Sequence, residues 1–74
     1  MNVHEFVRRV KGRMLFDLGS LTDSELDDFM LEDGSISEYA LADNYALNHD
    51  PNPNHFELIE QAAHEARVEL EGVK

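Results

Sequence analysis

Apolar residues recur every three or four positions along the first part of the chain, which is the spacing of one face of an α-helix. This first stripe comprises Val3, Phe6, Val7, Val10, Met14 and Leu18. Gly19 follows its last member, and glycine commonly ends helices. We therefore predict a first helix over residues 3–18.

A short polar pattern, a capping residue followed three positions later by Glu, occurs four times: "NVHE", "TDSE", "SISE" and "NHFE". The first residue can accept a hydrogen bond from a backbone N–H of the first helical turn, and the Glu can reach back to the N–H of the cap. The charge of the Glu also suits a helix N-terminus. We expect helices capped by Asn2, Thr22, Ser35 and Asn54.

The second and fourth helices carry apolar stripes of unequal length. A short second helix over residues 23–32 presents Leu26, Phe29 and Met30, and the turn-forming "DG" at 33–34 ends it. The fourth helix, over residues 55–71, carries a longer stripe of Phe56, Ile59, Ala63, Ala66 and Leu70. Gly72 closes this helix, and we expect its last turns to fray.

The third helix, over residues 36–48, has an ambiguous pattern. One face carries four apolar residues, namely Ile36, Tyr39, Ala40 and Leu47. Asp43 lies in the middle of this face, where a helix that packs on a core needs an apolar residue. Leu41 and Tyr45 lie on the opposite face. This helix therefore packs on both sides, ends early or exposes an apolar pair.

These elements together define the expected fold. No segment shows the alternation and β-branched enrichment of a strand. Seventy-four residues make a single domain, 1–74, and a chain of this size buries only about 60% of its unfolded surface. We predict an all-α fold, a small bundle of three to four short capped helices that is a monomer.

Charge is distributed unevenly along the chain. The formal net charge is −10, and between Met14 and Ala66 there are 13 Asp and Glu residues but no Lys or Arg. Four of the six basic residues lie close together near the start: Arg8, Arg9, Lys11 and Arg13. An acidic body repels phosphate backbones and attracts basic protein surfaces, so direct nucleic-acid binding is disfavoured. Alternatively, the acidity only keeps a small protein soluble.

Composition also indicates the compartment. The chain has no cysteine, which excludes thiolate chemistry and disulfides and fits a reducing environment. No run of about 18 apolar residues is present, and the N-terminus lacks the apolar segment of a signal peptide. We expect a cytoplasmic protein that neither binds a cofactor nor enters a membrane.

One loop resembles the start of a calcium site. Asp50, Asn52 and Asn54 occupy loop positions 1, 3 and 5. A helix–loop–helix calcium site needs Gly at position 6 and Glu at position 12, whereas this loop has His55 and Gln61 there. Two prolines also restrict its backbone. We interpret the loop as a linker followed by the Asn54 cap.

No arrangement of residues predicts an enzyme. Glu60 and His64 lie one turn apart, which suits two zinc ligands, but no recognised spacing adds His4, His49 or His55. The chain has no nucleophile elbow, no Gly-rich phosphate loop and no carboxylate pair distinct from the general acidity. We expect no catalytic, metal or cofactor site.

The second and third predicted helices, joined by "DGS", have the outline of a helix-turn-helix. A DNA-reading second helix presents Arg, Lys, Asn or Gln to the bases. Here it offers Asn44 and Asn48 but also Glu38 and Asp43, and it has no basic residue. The charge pattern therefore argues against DNA binding.

The outer face of the first helix has a different composition from its apolar stripe. Arg8, Arg9, Gly12, Leu15 and Phe16 lie there, and Arg and aromatic residues are enriched in interface hot spots. The alternative, which we favour for Leu15 and Phe16, is that the helix ends near residue 14 and turns them into the core.

Partner-binding candidates come from this basic face and from the acidic run of residues 17–50. They are Arg8, Arg9, Lys11, Arg13, Phe16, Asp27, Glu32 and Asp33.

The opening "MNVHEFVRRVKGRM", the acidic charge and the closing Ala/Glu-rich segment resemble a small transcription regulator of a lytic Xanthomonas bacteriophage. The resemblance implies a non-enzymatic protein that binds host RNA polymerase at the N-terminal segment of the β′ subunit and at the β flap. It further implies σ-factor displacement, inhibited initiation and antitermination.

Other classes remain open beside this resemblance. The acidic run fits a DNA mimic that blocks a nucleic-acid-binding protein, or another protein–protein interaction module. A small metal-dependent hydrolase and a plain structural or chaperone-like subunit are further alternatives.

Overall fold

The computed structural model describes residues 2–72, and these residues form α-helices joined by short connections, without a named strand. In chain order the helices are α1 (Val3–Gly19), α2 (Asp23–Asp27), α3 (Glu38–His49) and α4 (Phe56–Gly72). A single 3₁₀ turn, Pro53–His55, leads into α4. The predicted all-α bundle is confirmed.

α1 closely matches its predicted bounds. The Asn2 side chain accepts a hydrogen bond from the Glu5 backbone N–H, which satisfies one of the free donors of the first turn. The apolar stripe then buries Val7, Val10 and Met14. The helix continues through residue 19 instead of ending near residue 14, so the outer face stays helical.

α4 is the central packing element, because both α1 and α3 pack against it. Four of its residues are fully buried, namely Ile59, Ala62, Ala63 and Ala66. Three of the four are alanines, and such small side chains let the neighbouring helices approach closely. The predicted stripe is confirmed at its centre, whereas Phe56 is half-buried and Leu70 is exposed. The expected fraying of the last turns stays a prediction.

α3 packs through the face that its periodicity disfavours. Leu41 and Ala42 are buried, while Tyr39 is 66% exposed and Leu47 is 74% exposed. The exposed apolar pair therefore comes from the predicted stripe, whereas Leu41 and Tyr45, which we placed on the opposite face, are buried and half-buried. Turning the other face inward leaves Asp43 in solvent, which avoids burying an unpaired carboxylate.

α2 is shorter than predicted, and the prediction of a helix over residues 23–32 is wrong. The helix ends at Asp27, and the chain then forms an isolated antiparallel bridge between Met30 and Ile36. The loop closes at Gly34, whose φ of 87° is readily adopted only by glycine. Pairing between these two segments replaces the last helical turn, so the compact helix-turn-helix outline is not formed.

Two of the four predicted caps are wrong by two residues. The Ser37 hydroxyl, and not that of Ser35, accepts from the first turn of α3 at the Ala40 N–H. The Asn52 side chain accepts from the Asn54 N–H, so Asn54 lies inside the 3₁₀ turn. In both places another polar residue captures the N–H groups of the turn.

Asn2 and Thr22 are confirmed as the caps of the first two helices, and the predicted return bond from Glu is found at Thr22. Thr22 forms the full reciprocal box with Glu25, whose carboxylate accepts from the Thr22 N–H. This hydrogen bond lowers the pKa of Glu25, because it favours the charged form.

Candidate functional site

A groove lies between the C-terminal half of α1, the α2 segment and α3, and its volume is about 410 Å³. That volume is within the range of about 300–1,000 Å³ common for ligand sites. The groove is lined by Met14, Asp17, Leu18, Leu21, Glu25, Asp28, Phe29, Ala40, Leu41, Asp43, Asn44, Tyr45 and Leu47. We call it the acidic groove, because its lining residues combine apolar side chains with carboxylates and include no Lys, Arg or His.

The floor of the acidic groove is apolar. Met14 and Leu41 are buried and connect the floor to the core, and Leu18 and Phe29 are half-buried against that core. Leu47 lines the same groove but is 74% exposed. The Leu47 side chain is therefore exposed to solvent next to the apolar floor of the groove.

Four carboxylates line the groove: Asp17, Glu25, Asp28 and Asp43. Asp17 pairs with Arg13 and faces His49, and Glu25 is held by the Thr22 cap. Within residues 2–72, neither Asp28 nor Asp43 forms an ion pair, and both residues are exposed. These two charges are available to a cationic partner.

Four of the five residues on the outer face of α1 are exposed, and Leu15 is half-buried. Phe16 is 66% exposed, and the Arg13 guanidinium lies 5.6 Å from its ring centroid, within cation–π range. The favoured alternative, that Phe16 turns into the core, is wrong. For Leu15 it holds in part, because that side chain packs against the core.

The four basic candidates differ in what they already contact. Arg8 and Arg9 are exposed and form no ion pair with another residue of the range 2–72. Arg13 bonds Asp17 on its own helix at 3.0 Å. Lys11 points to α4, where its Nζ lies 3.3 Å from Glu69. The structure therefore brings Arg13 and Phe16 together and engages Lys11 within the fold.

The acidic candidates lie on the segment that follows α2. Asp27 is the last residue of α2, and Glu32 is in the turn beyond it. Asp33 accepts hydrogen bonds from the N–H and the hydroxyl of Ser35, which lower the pKa of Asp33. All three are exposed, and none of them lines the acidic groove.

Polar side chains also join α3 to α4 outside the groove. Glu38 accepts from His64 Nδ1 at 2.9 Å and from Arg67, which also bonds Glu71. The His64 contact is the largest cause that lowers the pKa of Glu38, and Glu38 in turn raises the pKa of Arg67. This cluster joins the start of α3 to residues of α4 that are 26 and 29 positions further along the chain, which is a structural role.

The calcium-like loop uses its carboxylate internally. Asp50 Oδ1 accepts from the Asn52 N–H, and Asp50 Oδ2 lies 2.8 Å from His55 Nδ1. The His55 contact is the main cause that lowers the pKa of Asp50. In this arrangement the Asp50 side chain organises the turn that leads into α4.

The described part of the chain has neither a cluster of metal ligands nor a helix that could cross a membrane. No group of three or more His, Asp or Glu side chains in residues 2–72 converges as metal ligands would. No helix over the same residues combines the length and apolarity that crossing a bilayer requires.

Comparisons with protein-family models, with curated proteins and with solved structures find no match to this chain. The site is therefore defined by its geometry alone.

Sequence reasoning missed the acidic groove and its exposed members Asp28, Asp43 and Leu47. One signal was present, because Asp43 interrupts the apolar face to which Leu47 belongs. An apolar face interrupted by a carboxylate either buries that charge in the core, which is unfavourable, or remains exposed to solvent. Only the packing of α3 on α4 distinguishes the two.

Proposed function

We propose that this protein is a non-enzymatic transcription regulator of bacteriophage type that binds bacterial RNA polymerase in the host cytoplasm. It acts on the β′ N-terminal segment and the β flap, displaces the σ factor, inhibits initiation and promotes antitermination. The choice of polymerase rests on the resemblance of the opening residues. The class, a protein-binding module, rests on physical observations.

The observation that carries the class is the separation of charge. Residues 14–66 hold every exposed carboxylate of the acidic groove and no Lys or Arg, whereas Arg8 and Arg9 stand on the outer face of α1. Polymerase surfaces that normally meet nucleic acid are basic, so an acidic body associates with them quickly and in a defined orientation. A small rigid bundle then occupies a surface that σ needs.

A titration of σ retention on host polymerase tests this function directly. Increasing amounts of the protein are added to holoenzyme at low and moderate salt, and σ remaining on the core enzyme is measured. We expect progressive release, weaker at higher salt because the charges are screened. Unchanged retention at saturation contradicts the proposal.

A pair of charge variants separates this function from DNA mimicry. Arg8→Gln combined with Arg9→Gln removes two exposed charges that have no ion pair within residues 2–72, and Lys11→Gln serves as control because Lys11 already pairs with Glu69. A polymerase binder that uses the outer face of α1 loses affinity with the arginine variant. A DNA mimic keeps or gains affinity, because the variant is more acidic.

A further inference from the structure

We infer that the acidic groove is a docking site for a cationic amphipathic segment of a partner protein, with apolar side chains entering the groove and Lys or Arg meeting its rim. The inference deepens the proposed function and rests on it for the identity of the protein that carries the segment. Among the basic candidates of α1, Arg13 contacts the groove through its ion pair with Asp17, and the inference does not depend on the others.

The shape of the site argues for apolar side chains at its centre. Met14 and Leu41 form a buried floor, and Leu47 stands at the edge with most of its surface in water. Covering such a side chain removes apolar area from water, which is the main favourable contribution to association. Amphipathic segments commonly lay their apolar face into a groove between helices in this way.

The charge of the groove lining indicates which of the possible ligands it binds. The lining residues carry four carboxylates and no cation, and Asp28 and Asp43 have no ion pair within residues 2–72. A nucleic acid meets repulsion at such a rim. A second copy brings the same carboxylates and a net charge of −10. Lys and Arg flanking an apolar patch are the complementary chemistry.

Two residues of the groove, Asp43 and Leu47, are separate from the polar groups that hold α1 and α3 on α4. The Glu38–His64–Arg67 cluster and the Lys11–Glu69 pair lie outside the groove lining. Leu47 and Asp43 are exposed on α3 and belong to neither. Substitutions at these two positions therefore change the groove while leaving the core and the interhelical ion pairs in place.

The probe is a synthetic peptide of Lys and Leu in helical three- and four-residue periodicity, titrated into the full chain and followed by amide chemical shifts and by fluorescence anisotropy. A second peptide replaces every Leu by Ser, and a third replaces every Lys by Glu. We expect the first peptide alone to bind with clear saturation, and the shifted amides to cluster on the groove lining.

Matched variants then locate the contact. We expect Leu47→Ser to weaken peptide binding by about tenfold, because the variant lacks the apolar side chain that the bound peptide would remove from water. Leu31→Ser is the control, since Leu31 is also an exposed leucine (51%) but does not line the groove. Asp43→Asn weakens binding by about threefold at low salt and less at high salt, and Glu60→Gln on α4 leaves it unchanged.

The outcomes are distinct for the two proposals. Three results overturn the inference, whatever the polymerase result. They are an equal loss of peptide affinity in Leu47→Ser and Leu31→Ser, amide shifts centred on the exposed face of α4, and no binding of the Lys/Leu peptide. Groove binding by the peptide without σ release supports the inference and contradicts the polymerase function. Loss of both peptide binding and σ release in Leu47→Ser supports both.

Discussion

The bundle of α1, α3 and α4 and the connecting segment 20–37 are stabilised in different ways. Within residues 2–72, every buried residue belongs to one of the three long helices, and none lies in 20–37. Within that segment, the organising contacts are the Thr22 cap, the Asp33 turn and the Met30–Ile36 bridge. The bundle is held by apolar packing across the fold, and the segment mainly by local hydrogen bonds.

The bundle therefore supplies most of the stability of this small chain, whereas the segment supplies part of the proposed binding surface. The acidic groove lies where the two regions meet, with a floor from the bundle and part of its rim from the segment. Regions with few buried contacts open locally at low free energy. We expect the rim to move more readily than the floor, and the following changes test that contrast.

The largest effect is expected for Ile59→Ala, because Ile59 is fully buried between the packed helices. Truncation there costs about 2–5 kcal/mol in the free energy of unfolding, a large share for a domain of this size. Urea denaturation followed by helical circular dichroism measures it. Leu47→Ala is the exposed control and changes stability by less than about 0.5 kcal/mol. Similar losses in both variants would refute the assigned core.

Ala63→Leu tests whether the alanines of α4 are small because the neighbouring helices approach closely. Added methylenes in a filled core cost about 1–3 kcal/mol. Glu60→Leu places the same side chain on the exposed face of the same helix, and we expect almost no loss of stability. A neutral or stabilising Ala63→Leu in the same denaturation assay would show that this interface is loosely packed.

Gly34→Ala acts on the segment alone. A φ of 87° is strained for alanine by about 1–2 kcal/mol. Since the segment contributes no buried residue, we expect faster amide hydrogen exchange over 29–37 and a small shift of the global unfolding midpoint. Gly12→Ala is the opposite control, because its helical site is open and Ala stabilises a helix by roughly 0.5–1 kcal/mol. Uniformly faster exchange across α4 would show that the two regions unfold together.

Glu38→Gln is expected to have the smallest effect at neutral pH, since the Glu38 cluster is partly exposed. The pKa of Glu38 is lowered in the folded state, mainly by His64 and then by Arg67. Its stabilisation is therefore complete above the unfolded pKa of about 4.3 and is lost as pH falls through the lower folded value. The difference in thermal midpoint between the parent and this variant should shrink below about pH 4. If the difference in thermal midpoint does not change with pH, Glu38 does not contribute to the loss of stability in acid. Glu60→Gln, on the exposed face of α4, is the control for removing one carboxylate.

Sequence reasoning succeeded where the physics is local. The α1 stripe contains all buried residues of α1, although Val3 at its start is exposed, and the centre of the α4 stripe predicted three of the four buried residues of α4 but missed Ala62. Periodicity determines which side chains share a face. The Asn2 and Thr22 caps were also predictable, since their donors lie within three residues. Ser35 and Asn54 failed as caps because Ser37 and Asn52 compete for the same kind of donor two residues away.

The candidate site was predictable only in its chemistry. Acidic charge and the basic cluster of α1 are visible in the sequence, and they indicate a protein surface as partner. Neither locates the acidic groove, because its residues come from three elements that meet only when α1 and α3 pack on α4.

The amino-acid sequence by itself determined an all-α chain with an acidic body, the course of α1 and the central stripe of α4. These properties follow from side-chain spacing and charge, which act over a few residues. Tertiary packing decided that α3 turns Leu41 inward and leaves Leu47 outside, and that α2 ends at Asp27. The face that α3 buries depends on its packing against α4, because the opposite choice would bury the Asp43 carboxylate without a partner. The end of α2 depends on the Met30–Ile36 bridge, a pairing that helical periodicity does not predict.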